Sequence, residues 1–121
     1  MDIERWQGKA EGRNPTVRHN GIVYTVATGE GAGTDIRTKT AAALAAIDRN
    51  LAEAGSDKTR LLSVQIFLAD LSDKAAMDEV WCDWIGPDWR NWPQRACVGA
   101  PLSSEAMLVE IVVTASEAVK P

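Results

Sequence analysis

The sequence predicts an α+β fold: a mixed β-sheet with two helices packed on one face, in the order β-β-α-β-α-β-β. Three observations carry this expectation. Two segments have the 3.6-residue apolar period of helices, and each stands between strand-like segments, so each helix is a crossover. The dipeptide Asn20-Gly21 interrupts TVRHNGIVYTVA, a strong hairpin signal. Met107 to Ala115 is almost wholly apolar and reads as a buried strand. At 121 residues, 45 % of them apolar, the chain makes one domain (1–121) that can bury a core without disulfides or metals.

The elements follow in order. A short strand is possible between Ile3 and Lys9, ahead of the Asn20-Gly21 hairpin. Thr34 or Asp35 can cap the first helix, whose apolar positions are Ile36, Ala43, Leu44, Ile47, Leu51 and Ala54; Gly55 ends it. In LLSVQIFLADL, Leu62, Val64, Ile66 and Leu68 alternate with Ser63, Gln65 and Phe67, as in a half-buried strand. The second helix starts after Ser72, spaces Met77, Val80, Trp81 and Trp84 by three and four, and stops at Gly86-Pro87. Two last strands, Arg95 to Ala100 and Met107 to Ala115, flank a polar tip at Ser103-Ser104-Glu105.

The last strand puts Met107, Val109, Ile111 and Val113 on one face, and Leu108, Glu110, Val112 and Thr114 on the other. In so short a chain helices cover only one face of the sheet. The second apolar face is therefore expected to lie against another copy of the protein.

The charge balance excludes several classes. The formal net charge is −4, and the cations Arg5, Lys9, Arg13 and Arg18 are diluted by Asp2, Glu4 and Glu11. Nucleic-acid binding as the main activity is not expected, because phosphate neutralisation needs clustered cations. MDIERWQGKA has no apolar signal-peptide core, and the run Ala41 to Ile47 is far too short to span a bilayer. With only Cys82 and Cys97, a reducing cytoplasm is the simplest setting. A single histidine and two distant cysteines offer no zinc site, and no cofactor is expected.

If the last two strands form a hairpin about Ser103-Ser104, Cys97 lies opposite Glu110, and Arg95, Cys97 and Glu110 share a face. Two readings are open. Arg95 and Glu110 form a cross-strand ion pair with Cys97 as an apolar filler. Alternatively, Arg95 receives an anionic ligand through its guanidinium fork while Glu110 orients a water or shuttles a proton. A nucleophilic Cys97 would want a histidine beside it; the only one, His19, sits in the predicted turn.

The same residues carry a resemblance. Pro93-Gln94-Arg95-Ala96-Cys97-Val98, with Glu110-Ile111 thirteen residues past the cysteine, resembles the C-terminal signature of the RidA/YjgF family of reactive-intermediate deaminases. HNGIVYTV, the Thr38 to Gly55 helix and VQIFLADLSDKAAMDEVW resemble further elements of that family, so the similarity spans nearly the whole chain. It implies a chorismate-mutase-like fold, a homotrimer with ligand clefts between subunits, and cofactor-free hydrolysis of enamines and imines such as 2-aminoacrylate and 2-iminobutanoate. The products are 2-oxo acids and ammonia. On this resemblance Arg95 anchors the substrate carboxylate, Glu110 orients water, and main-chain groups at Cys97 bind the imine nitrogen. Gly29 and Asp78 fall at positions that line the cleft, and Trp92 stands in the loop before the Arg95 strand, where binding residues concentrate.

The sequence also departs from that pattern. Gly12-Arg13-Asn14-Pro15 lacks the family's cleft tyrosine, Glu30 stands where an amide is common, and Asp78 where an asparagine is common. Added carboxylates weaken an anion site unless they face away or are neutralised. A binding protein for small carboxylic or 2-oxo acids on the same scaffold is the alternative. An RNA-directed role, suggested by endoribonuclease and translation-inhibitor labels on relatives, fits the acidic balance least.

Overall fold

The computed structural model describes residues 2–118. Strands β1 (Glu4–Trp6), β2 (Thr16–His19) and β3 (Ile22–Ala27) lead into helix α1 (Ile36–Glu53). Then come β4 (Leu61–Leu68), helix α2 (Lys74–Ile85), β5 (Gln94–Gly99) and β6 (Val109–Ser116). The possible first strand thus exists but is three residues long.

Local chemistry explains the boundaries. Asn20 (φ 51°) and Gly21 (φ 77°) hold successive positive φ angles, as a two-residue hairpin loop with the correct twist requires, and His19 pairs with Ile22 across it. The Asp35 carboxylate accepts the Thr38 amide at 2.8 Å, capping α1. At the other end of α1 the Arg18 guanidinium donates to the Ala54 carbonyl at 2.6 Å while binding Glu4, also at 2.6 Å. One side chain therefore ties β1, β2 and the end of α1 together.

The single sheet has the order β1-β2-β3-β6-β4-β5. β6 runs antiparallel to both β3 and β4, while β4 and β5 are parallel. The expected hairpin of the last two strands is therefore overturned: β5 pairs with β4, setting Arg95 beside Val64 and Cys97 beside Ile66. β6 is the most continuously apolar strand and takes the centre. β5 carries a charge on its inner face and follows Pro93, features tolerated at a sheet edge. The chain from Ala100 to Leu108 steps over the end of β4, where Ala100 N donates to Leu68 O and Ala69 N donates to Leu108 O.

A second correction concerns Leu62, which is 47 % exposed. The β4–β6 register shifts between Leu61 and Ser63, and this bulge turns Leu61 inward in its place. Beyond the bulge Val64, Ile66 and Leu68 are buried as their alternation predicts.

The core lies between one sheet face and the helices. Ala43, Leu44, Ile47 and Leu51 of α1 and Met77 of α2 meet Val64, Ile66, Val109, Ile111 and Val113, all at most 1 % exposed. Each such Leu or Ile contributes about 1.5–3 kcal/mol by leaving water. The opposite face carries Tyr24, Val26, Phe67, Val98, Glu110 and Val112, joined by the registers Val26–Val112, Phe67–Glu110 and Phe67–Val98. Neither helix covers it, and Tyr24 and Val98 are 49 % and 46 % exposed. Among the described residues no helix is long and apolar enough to cross a membrane.

Gly29 shows how closely the loop after β3 meets α1. Its φ is +66°, and a Cβ there would stand 2.1 Å from the Lys39 carbonyl oxygen. Gly29→Ala should therefore cost about 2–4 kcal/mol, combining backbone strain with overpacking. Gly12 also has positive φ (+83°) but nothing within 4 Å of an added Cβ, so Gly12→Ala should cost only about 1 kcal/mol. Urea unfolding of the two variants checks this; equal losses would refute the packing account.

Candidate active site

Helix α2 and the edge strand β5 frame a cleft of about 300 Å³. On α2, Asp78, Trp81, Cys82 and Ile85 follow the i, i+3, i+4, i+7 spacing of one helical face, and all four line the cleft. Gly86, Trp92 and Pro93 close it from the loop, and Arg95 supplies its floor from β5. α2 ends there because Gly86 has a φ of 83°.

Arg95 is held from two sides. Its Nη2 donates to Asp78 Oδ1 at 2.7 Å, and its guanidinium lies 5.4 Å from the centroid of the buried Trp81 ring. Trp81 in turn packs obliquely on Trp84, with 5.4 Å between centroids. Among the described residues the other guanidinium N–H groups have no protein partner, and the side chain keeps 20 % of its surface exposed. A ligand carboxylate can therefore still take two N–H bonds from it.

Asp78 divides its oxygens between two cations, with Oδ2 receiving Lys74 Nζ at 2.7 Å. Partial burial pushes its carboxyl up, but hydrogen bonds and charge from Lys74 and Arg95 outweigh this and hold it below the ordinary value. A carboxylate that would otherwise compete with an anionic ligand for Arg95 is thus neutralised. Glu30, the other one, is exposed and lies outside this cleft.

The remaining candidate residues are dispersed. Cys97 lies two residues along β5 from Arg95 on the same helix-facing side, beside Ile66. Burial raises its thiol above the ordinary value despite Arg95 and Lys74, so it is a poor thiolate. Gly29 packs against α1 rather than at the cleft. His19 stays at the hairpin, with Nε2 3.1 Å from the Asn20 amide nitrogen. Trp92 does line the cleft, and its Nε1 donates to the Gly86 carbonyl at 2.8 Å, fixing the indole. Its loop neighbour Trp89 is 66 % exposed, lies against Arg90 and is not part of the cleft lining.

Glu110 requires a correction. It pairs with Phe67 on β4, and Phe67 pairs with Val98, so Glu110 belongs to the open face. Arg95 pairs with Val64 and points to the helices. The expected shared face does not exist within one chain. Lys74 and Cys82 join the site without having been expected there, although the four-residue steps Lys74–Asp78–Cys82 along α2 are a signal legible in the sequence.

The Asp78 pairing has a pH signature. Because its carboxyl lies below 3.8 in the folded chain, its stabilisation is complete above that unfolded value and disappears as pH falls through the folded one. Asp78→Asn should therefore melt below wild type near neutrality, and the gap should close as pH drops below about 4. Thermal melts across that range test this; a gap that persists in acid would exclude the ion pair as its source.

Comparison with known proteins agrees with this architecture. Residues 8–117 match the family described as Endoribonuclease L-PSP. A RutC family protein of Haemophilus ducreyi is 37 % identical over 101 residues, 81 % of this chain and 83 % of that one. The RutC family protein YoaB of Escherichia coli is 37 % identical over 108 residues, 88 % of this chain and 93 % of its own. A crystal structure of a YjgF-family protein from Neisseria meningitidis superposes with a TM-score of 0.91 at 37 % identity, covering 99 % of this chain and 98 % of that one. The chain belongs to the YjgF/RidA family.

Proposed function

We propose that the protein hydrolyses enamine and imine intermediates of the 2-aminoacrylate and 2-iminobutanoate type to 2-oxo acids and ammonia, without a cofactor. The observation that carries this reading is Arg95, seated on Trp81 at the floor of a cleft with unfilled N–H groups. A guanidinium so placed takes the substrate carboxylate and fixes the adjacent C=N carbon. Enamine substrates first accept a proton at carbon to become imines. Water then adds to the C=N carbon, a proton passes to nitrogen, and collapse of the carbinolamine expels ammonia and leaves the 2-oxo acid. Glu110 is the general base that orients the water.

Arg95 and Glu110 lie on opposite sides of the sheet, so both serve one substrate only if they come from different copies. Support for such an assembly comes from the uncovered apolar face that carries Glu110. We therefore take the active form to be a homotrimer in the cytoplasm, with clefts between subunits. An RNA-directed activity has little support from a net charge of −4.

Hydrolysis of 2-iminobutanoate, generated in situ by an amino-acid oxidase, is the test. Arg95→Ala and Glu110→Gln should each lower kcat/KM by about 100-fold or more. An inactive wild type that still binds 2-oxobutanoate would favour the non-catalytic binding protein instead. Mixing the two variants after mild dissociation should restore about a quarter of wild-type activity, the share of interfaces that combine an intact Arg95 with an intact Glu110. No recovery in mixed assemblies would rule out a site shared between copies.

A further inference from the structure

The cleft offers more than an anion anchor. Trp81, Ile85, Trp92 and Pro93 present apolar walls around Arg95, and among the described residues the cleft's charged side chains are Arg95 and Asp78, with the Cys82 thiol beside them. Trp92 is the telling residue. The residue is 52 % exposed, yet its Nε1 is fixed on the Gly86 carbonyl at 2.8 Å. A pinned aromatic ring with free apolar surface loses little freedom when a ligand covers it. Volume points the same way. The smallest imino acids have about six heavy atoms in all; at no more than about 30 Å³ each, they occupy at most about 180 Å³. The cleft holds about 300 Å³, so such a ligand leaves at least about 120 Å³ of it, bounded by apolar wall, unfilled.

We propose that this cleft selects imino and 2-oxo acids with bulky apolar side chains, of the leucine and phenylalanine type, over the smallest ones, and that Trp92 is the specificity-determining wall. The inference rests on the Arg95 reading above and names the substrate class of that same site. With the carboxylate on Arg95, the side chain lies against Trp92, Pro93 and Ile85. The apolar walls add a second selection: a ligand that carries another acid group has to bring that charge out of water against Trp92, Pro93 and Ile85.

Binding to the wild-type assembly separates this inference from the catalytic one. By calorimetry, phenylpyruvate and 4-methyl-2-oxopentanoate should bind at least about tenfold more tightly than pyruvate, the scale set by one well-placed apolar group. 2-Oxoglutarate should bind more weakly than 4-methyl-2-oxopentanoate. Trp92→Ala should bring the phenylpyruvate-to-pyruvate ratio close to one while changing pyruvate affinity less than about twofold. Trp92→Phe, which keeps an aromatic wall, should preserve most of the ratio and guards against a misfolded alanine variant. Equal affinities in wild type, or a Trp92→Ala that weakens every acid alike, would overturn the proposal. Discrimination in binding with no hydrolysis of any imine leaves the specificity standing and removes the hydrolase reading. Failure to bind any 2-oxo acid removes both.

Discussion

β6 is hydrogen-bonded along both edges, and the placement of every functional group depends on that. A central strand must satisfy two neighbours and bury one face fully, and Val109, Ile111, Val113 and Ala115 do so against the helices. Once β6 lies between β3 and β4, β5 has only the outer edge of β4 available, in the parallel sense dictated by the α2 crossover. That parallel register turns Arg95 toward α2. The same registers leave Glu110 on the face that no helix reaches. The separation of the two charges is thus a consequence of sheet order.

The Arg95 environment balances two demands on one cation. A guanidinium without a counter-charge would be costly to keep at 20 % exposure, and Asp78 supplies one. Asp78 is 30 % exposed, so water screens the pair, and its net worth is on the modest scale of surface ion pairs. Stacking on Trp81 adds a contribution of about 0.5–2 kcal/mol that needs no second anion. Lys74 takes the other Asp78 oxygen, which lessens the pull of Asp78 on Arg95. The guanidinium is therefore positioned without being saturated, the condition an anion anchor needs.

Much of this was legible in the sequence where a single element decides the outcome. The apolar stripe Ile36, Ala43, Leu44, Ile47, Leu51 and Ala54 is wholly buried, and Asn20-Gly21 makes its hairpin, because period and turn chemistry are local. Pairing is not local. Strands adjacent in sequence are usually neighbours, and by that rule β5 and β6 should have formed a hairpin. The stronger requirement was that the most apolar strand occupy the centre, which is visible only when all the strands compete. Leu62 failed for a related reason: one bulge at Leu61–Ser63 reverses an alternation that is otherwise obeyed. At the site, Arg95 and Asp78 were both named from the motif, but their contact joins an edge strand to a crossover helix. No pattern within either element reveals it.

The position of Glu110 constrains what can cover the open face. A carboxylate beside Phe67 and Val112 costs little while water reaches it, but burial against an apolar surface would be expensive without a donor. The face is too apolar to suit solvent and carries a charge that hydrocarbon cannot accept. A partner surface that satisfies both must bring apolar side chains to Tyr24, Val26 and Val112, and a cation, hydrogen-bond donor or retained water to Glu110. In the proposed assembly, a water retained beside that carboxylate is already oriented for attack on an electrophilic carbon. On the proposed assembly, the requirement that keeps Glu110 solvated and the requirement for a positioned nucleophile are met by the same molecule.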